Sequence, residues 1–404
     1  MRKIDLNNFH VATNETVRDI NSRIMLNLVR KHQPVSRADL ARYSGLQRST
    51  VSAITGRLIS EHWLRKGAVG DLPRGRKPTF LHLNSDRVGI IGVDIQPVTT
   101  TLAVASMDPQ LQAQESFSTG NDPVEFIARL SHRILDLIRA YPKRSFEGVG
   151  ISLPGRIDIS SQRVTFAPNL GWSDLDLKTP LKRATRLPVE LENVANACAL
   201  AELWSGRHGE GVRNLLAVTV SDPVGVGVGM IMNGQLIRGS TGVSGEFGHV
   251  ALVADGPQCR CGNRGCWETL ASNAAAVRYY TESVSVHKGD GSKSATARVP
   301  FGDILRLAEQ GDVKACQALD QMAHYLGIGI AMLVSGLAPD VLVVVGEVTR
   351  AWNRVGPIIN AAVRHRSFTH AATRILSTNS EAQPRLWGAV ALIFQKHFSA
   401  PSIA

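Results

Sequence analysis

"GEFGHVALVADGPQCRCGNRGCWE" runs from Gly245 to Glu268 and carries the most informative spacing in the chain. His249, Cys259, Cys261 and Cys266 stand as H-x9-C-x-C-x4-C. Three thiolates and one imidazole close a tetrahedral shell, the donor set of structural zinc. The glycines of "CGNRGC" let the chain turn tightly around an ion. Chance clustering is the competing reading. The 404 residues hold only 5 cysteines, and three of them fall within this one short segment. That distribution favours metal in a reducing compartment over disulfides. Cys198 and Cys316 lie in helical contexts and read as small core residues.

Outward from this segment the texture is that of an α/β protein. "VGIIGVDIQPVTTTLAVAS" reads as two apolar strands around a turn, and "PVEFIARLSHRILDLIRAYP" as an amphipathic helix. "FEGVGISLPGRIDIS" reads as a buried strand ending in a Pro-Gly turn. "NLLAVTVSDPVGVGVGMIMNGQLIRGS" and "LAPDVLVVVGEVTRA" repeat the pattern of a strand ending in glycine. Strands alternating with helices predict two α/β lobes facing each other across a cleft. "HKGDGSKSATARVP" reads as a surface excursion.

Residues 1–80 have a different character. They hold 15 Lys+Arg against 6 Asp+Glu, whereas the remaining residues hold 30 against 28, within a net charge of +11. A basic module on a near-neutral body predicts a polyanionic partner, most simply DNA, with a solvated basic tail as the alternative. Val17, Ile20, Ile24, Leu28 and neighbouring Met25 are spaced as the inner stripe of a first helix. Pro34 ends it, and Ser36 with Asp39 can cap a second. Gly45 supplies a tight turn. A third helix follows, with Val51, Ile54, Leu58 and Ile59 inward and Arg48, Ser49, Thr50, Ser52 and Arg57 outward. This is the helix-turn-helix pattern, whose third helix enters the major groove; an ordinary three-helix bundle is the alternative. Gln47 stands where a Ser or Thr cap is the usual choice. "WLRKGAVGDLPRGRKPTFLHLN" then reads as a wing whose tip carries Arg74, Arg76 and Lys77 for the minor groove, or as a linker. No run of 18 apolar residues and no apolar signal-peptide core is present, which predicts a cytoplasmic protein without a membrane span.

"VELENVANACALAELWSG", Val189 to Gly206, crowds Glu192, Asn193 and Asn196 at the end of a strand-like run, before an alanine-rich helix. Apolar Val194 sits among them. Together with "SLPGRID", "NGQLIRGSTGVSGEFGHV", "CRCGNRGCWETLAS" and "YLGIGIAMLVSGLAPDVLVVVG", in this order along essentially the whole chain, this stretch resembles the ROK family of sugar-responsive repressors and sugar kinases. The N-terminal module is similar to that of the repressor branch, which includes regulators of xylose, glucose and N-acetylglucosamine genes.

The resemblance implies the actin-like, two-lobed ATPase fold of hexokinases behind a winged helix-turn-helix. It implies DNA binding in residues 1–83, a small lobe in 84–200 with a C-terminal helix from 384–404 packed back on it, and a large lobe in 201–383 with the zinc site and dimer contacts. It implies sugar-hydroxyl binding by Asn193, Glu246, His249 and Glu268, with backbone near Gly155. His249 would serve zinc with one ring nitrogen and the sugar with the other.

The same resemblance implies lost kinase chemistry. ROK kinases read Glu-Asn-Asp-Ala-Asn where this chain has Val194, and valine cannot accept a proton. The first phosphate loop, Asp-x-Gly-x-Thr in the family, becomes Asp94 followed by "IQPVT". The second, Gly-Thr-Gly-Ile-Gly, becomes "PVGVG" from Pro223 to Gly227, and the adenine-side Gly-Gly becomes Gly346-Glu347. The resulting expectation has no catalytic residue. It is a zinc-containing, homodimeric repressor of carbohydrate genes that binds operator DNA and a sugar or sugar derivative. An active sugar kinase with an accessory DNA domain, and a repressor controlled by a protein partner, are the competing readings.

Overall fold

The computed structural model describes residues 13–69, 77–107, 110–205, 208–209, 211–221, 225–285, 299–367, 373–379 and 382–399. The N-terminal unit comprises α1 (Asn14–His32), β1 (Val35–Ser36), α2 (Arg37–Ser44), α3 (Arg48–Ser60), β2 (Leu64–Val69) and β3 (Thr79–Leu83). Ser36 and Asp39 form the reciprocal cap at the start of α2, and Gly45 ends that helix at φ 72°, a left-handed conformation suited to glycine. Gln47 precedes α3 without a side-chain cap. β3 pairs antiparallel with both β1 and β2. Three helices and a three-stranded sheet in the order β1-β3-β2 make up this unit, the element order expected of a winged helix-turn-helix.

The inner face of α1 differs from the expected stripe. Met25, Leu26 and Val29 are buried, whereas Val17 and Ile24 are 49% and 41% exposed. The rotation of α1 is set by partners distant in sequence. Arg23 and Asn27 donate to the Ser399 and Phe398 carbonyls at 2.8 and 2.7 Å, at the far end of the chain. Turning that face towards the body carries Ile24 outward.

The first sheet of the body contains β4 (Val88–Ile95), β5 (Thr99–Ala105), β6 (Leu111–Ser118), β7 (Ser145–Leu153) and, beyond them, β11 (Val189–Asn193), in the order β11-β7-β4-β5-β6. Between these strands the chain forms α4 (Pro123–Ala140), β8 (Arg156–Ile157), β9 (Val164–Ala167), β10 (Trp172–Leu175) and α5 (Lys178–Thr185). β4 is parallel to β7, and β7 to β11. All eight residues of β4 are buried, as expected for a strand covered on both faces. α6 (Val194–Ser205) leads to the second half.

That half is built on β12 (Leu215–Ser221), β13 (Gly225–Met232), β14 (Gln235–Leu236), β15 (Val341–Val345) and β16 (Arg374–Ser377), in the order β14-β13-β12-β15-β16. Its helices are α7 (Trp267–Ala271), α8 (Asn273–Ser285), α9 (Phe301–Glu309), α10 (Val313–Leu337) and α11 (Trp352–Arg366), and α12 (Pro384–Phe398) closes the chain.

α6 and α12 pack on each other between the sheets. Close approach explains the small residues there. A Cβ at Gly150 in β7 would collide with the Ala389 carbonyl of α12, and one at Gly388 with the Ala197 carbonyl of α6. α6 thus begins at the interlobe cleft and ends beside the N-terminal unit, where Trp204 and Phe394 pack against its core.

Candidate functional site

The cysteine segment folds as the spacing predicts. A one-turn helix over Glu246–His249 presents His249, a loop presents Cys259 and Cys261, and Cys266 immediately precedes α7. Bridges between Ala251 and Cys266, and between Gln258 and Arg264, close the loop on itself. At Gly265, φ is 64° and a Cβ would collide with the Val253 carbonyl, so glycine is required. One donor atom from each of the four residues lies within 4.8 Å of the others. His249 Nδ1 is 3.6 Å from Cys259 Sγ, and Cys261 Sγ is 3.6 Å from Cys266 Sγ. A tetrahedron with Zn–S bonds of about 2.3 Å has S···S edges of about 3.8 Å, so the cluster fits a four-coordinate zinc.

A cleft of about 340 Å³ opens beside the cluster. Gly155, Asn193, Val194, Glu246, His249 and Glu268 all line it. His249 bridges the two sites: Nδ1 faces the cysteines, whereas Nε2 lies 3.6 Å from Glu246 in the cleft. Glu246 is also 3.6 Å from Arg156, a cleft residue that no sequence signal distinguished. Glu268, in the first turn of α7, accepts from the Cys259 thiol at 3.0 Å. Burial raises the Cys259 thiol, and the Glu268 carboxylate pushes the same way.

The strand-to-helix turn at Asn193 is tightly bonded. Asn193 Nδ2 donates to the Gly155 carbonyl at 2.7 Å, and its Oδ1 accepts from Ala195 N at 2.8 Å. The amide thus anchors the cleft wall and keeps one hydrogen and one lone pair for a ligand. Glu192 and Asn196 are buried, and Asn196 also lines the cleft. Glu192 accepts from Arg238 at 2.7 Å and from Asn196 at 3.0 Å, which makes them a structural network. Val194 is 3% exposed and belongs to an apolar cluster with Cys198, Ala199 and Val345, so only its edge reaches the cleft.

A neighbouring pocket, lined by Asp94, Gln96, Glu347 and Arg385, has another character. Asp94 is buried, one carboxylate oxygen accepts from Gln96 at 2.7 Å, and the other has no partner. Burial raises its pKa, opposed by Arg385 and Gln96. Glu347 lines this region after Gly346. Pro223 and Val224 lie outside the described residues.

In the N-terminal unit, Arg48, Ser49 and Ser52 are exposed on α3 and Thr50 is half-buried. Arg57 is held by Ser22 and lies 3.7 Å from Glu61, so α1 and α3 engage it within the protein. Lys77 is exposed. Arg74 and Arg76 lie outside the described residues. No helix among the described residues is long and apolar enough to cross a membrane.

Two lobes joined by crossing helices, with a polar cleft beside a Cys3His cluster, define a protein of the sugar-kinase type of actin-like fold. The chain belongs to the ROK family, whose model matches residues 90–396. It is 31% identical to the xylose repressor of Bacillus subtilis (strain 168) over 364 residues, covering 89% of this chain and 90% of that one. A solved ROK family transcriptional regulator, described as a homologue of the E. coli MLC protein, superposes with a TM-score of 0.82 at 25% identity, covering 95% of this chain and 98% of that one. A ROK family glucokinase from Streptomyces griseus, solved with glucose and AMPPNP, matches 76% of this chain and 99% of its own, with a TM-score of 0.65 and 29% identity.

Proposed function

We propose that this chain is a sugar-responsive, DNA-binding repressor of carbohydrate-metabolism genes without kinase activity. One observation carries the reading: carboxylate, amide and imidazole side chains suited to sugar hydroxyls converge on a single cleft, while the position that the family resemblance gives to the kinase base holds a valine packed into an apolar cluster. The repressors among the relatives support it.

In this reading Asn193, Glu246, His249 and Glu268 bind paired sugar hydroxyls, and the Gly155 backbone shapes the wall. A site built from such groups rejects analogues lacking the hydroxyls, because its polar atoms would then be left unpaired. Zinc held by His249, Cys259, Cys261 and Cys266 fixes the imidazole and aims Nε2 into the cleft. A zinc-bound Cys259 is a thiolate and cannot donate, so metal loading frees the Glu268 oxygen for the ligand.

Residues 1–83 would carry DNA binding, with Arg48, Ser49, Thr50 and Ser52 at base edges or phosphates and Arg74, Arg76 and Lys77 along the minor groove. A cytoplasmic homodimer would place two such units on half-sites one DNA turn apart, or a multiple of it. Sugar releases DNA only if it binds the DNA-incompetent arrangement more tightly.

The test is a thermal-shift panel of free, acetylated and phosphorylated sugars, followed by operator gel shifts with each stabilising sugar. A sugar that stabilises the protein and releases operator DNA is the expected result. ADP release with any of these sugars would instead establish the kinase reading.

A further inference from the structure

A second cavity lies where the N-terminal unit meets the body. It encloses about 290 Å³ and shares no lining residue with the cleft beside the cysteine cluster. Its walls come from α1, α6 and α12: Arg30, Trp204, Trp387, Phe394 and Phe398, with Met107 beyond the end of β5. Four aromatic rings around one space make a lining suited to a flat apolar body.

The polar groups in this lining are unevenly satisfied. Glu202 accepts from Thr378 at 2.6 Å and is paired with His208 at 2.8 Å, so its carboxylate is already occupied. Arg30 is different. Its guanidinium carbon lies 4.6 Å from the Trp204 ring centroid and 5.7 Å from that of Phe398. Among the described residues no carboxylate forms an ion pair with it. The side chain remains partly open to solvent, yet apolar surroundings hold its pKa below the ordinary guanidinium value. A cation with aromatic faces beneath it and five N–H donors lacks only a planar anion in front.

We propose that the junction cavity is a ligand site for a small aromatic carboxylate, whose ring lies among Trp204, Trp387, Phe394 and Phe398 and whose carboxylate pairs with Arg30. Because Arg30 belongs to α1 and the aromatic wall to the body, such a ligand contacts both units at once. It thereby biases their relative position, independently of the sugar cleft.

The experiment uses the full-length protein and two probes, indole-3-acetate and its uncharged analogue indole-3-ethanol, titrated by calorimetry. Saturable binding of the acid, at least about tenfold tighter than the alcohol, is expected from a charge-assisted contact. Arg30→Met should bring the acid down to the alcohol's affinity. Met107→Trp, which puts a larger side chain into the cavity lining, should weaken both, and Glu246→Gln should change neither. Circular dichroism melts of each variant verify folding. If the acid shows no saturable binding, binds no better than the alcohol, or is unaffected by Arg30→Met, the assignment is wrong.

Discussion

The interlobe space has two sides, and they differ in what their side chains can do. On the side next to the cysteine cluster, Glu246, His249 and Glu268 converge within hydrogen-bonding reach of one cleft. On the other side, Asp94 is buried and bonded to its neighbour Gln96, and Glu347 adds a second carboxylate to the same pocket. Recognition of hydroxyls needs only a few well-aimed donors and acceptors. Phosphoryl transfer needs a base and a full cradle for the phosphates as well. The first requirement can survive when the second does not, which is how a kinase scaffold can serve as a sensor.

The comparison would break most visibly at the metal. Cys266→Ala removes a fully buried thiol of the Cys3His cluster, and with the proposed zinc in place we expect loss of one metal equivalent per chain. We expect about 3 kcal/mol or more of local destabilisation, because metal binding is coupled to folding of the segment. Elemental analysis and thermal melts check this, and full stability with no bound metal in the unmodified protein would refute it.

Next in size is Glu246→Gln. The variant keeps the shape of the side chain but removes a charged acceptor, and sugar affinity should fall by about 10- to 100-fold. Calorimetry with the stabilising sugar reads the change. Unaltered affinity would move the ligand away from this side of the cleft.

Val194→Asp sharpens the contrast from the other direction. The new carboxylate would enter an apolar cluster rather than open space, so it should cost about 1–3 kcal/mol of stability. On the proposed non-kinase reading, no ADP release should appear, because a base alone does not supply the phosphate contacts that phosphoryl transfer needs. A coupled assay showing turnover by this variant would mean that the phosphate side is more competent than its geometry indicates.

The smallest expected effect concerns the junction between the N-terminal unit and the body. His397 is packed 4.3 Å from the Trp63 ring, and burial, with Arg23 and Lys396 nearby, lowers its pKa from 6.5 to about 4. Asp19 favours the charged ring, but burial prevails; Glu147 lies 3.5 Å from the ring. The unfolded chain therefore takes up this proton first as the pH falls. Stability is fully present above pH 6.5 and declines between 6.5 and 4, by about 2 kcal/mol at pH 5. Melts at pH 7.5 and 5 should differ less for His397→Phe than for the unmodified chain, and equal differences would remove His397 as the cause.

The sequence by itself determined what depends on neighbours along the chain. The Cys3His spacing, the Ser36–Asp39 cap, the turn at Gly45 and the strand-to-helix switch at Asn193 are local patterns, and each formed as its spacing required. Tertiary structure decided the rest. The rotation of α1 depends on carbonyls at Phe398 and Ser399, more than 370 residues away, which no periodicity in residues 14–32 could reveal. Asn193 proved to be an anchor bonded on both sides, Val194 a core residue and Arg57 a partner of α1, because each met groups from other elements. The aromatic cavity around Arg30 exists only where α1, α6 and α12 come together. Local pattern fixes which groups a segment can offer, whereas burial and partners fix which of them remain available, and those are properties of the folded whole.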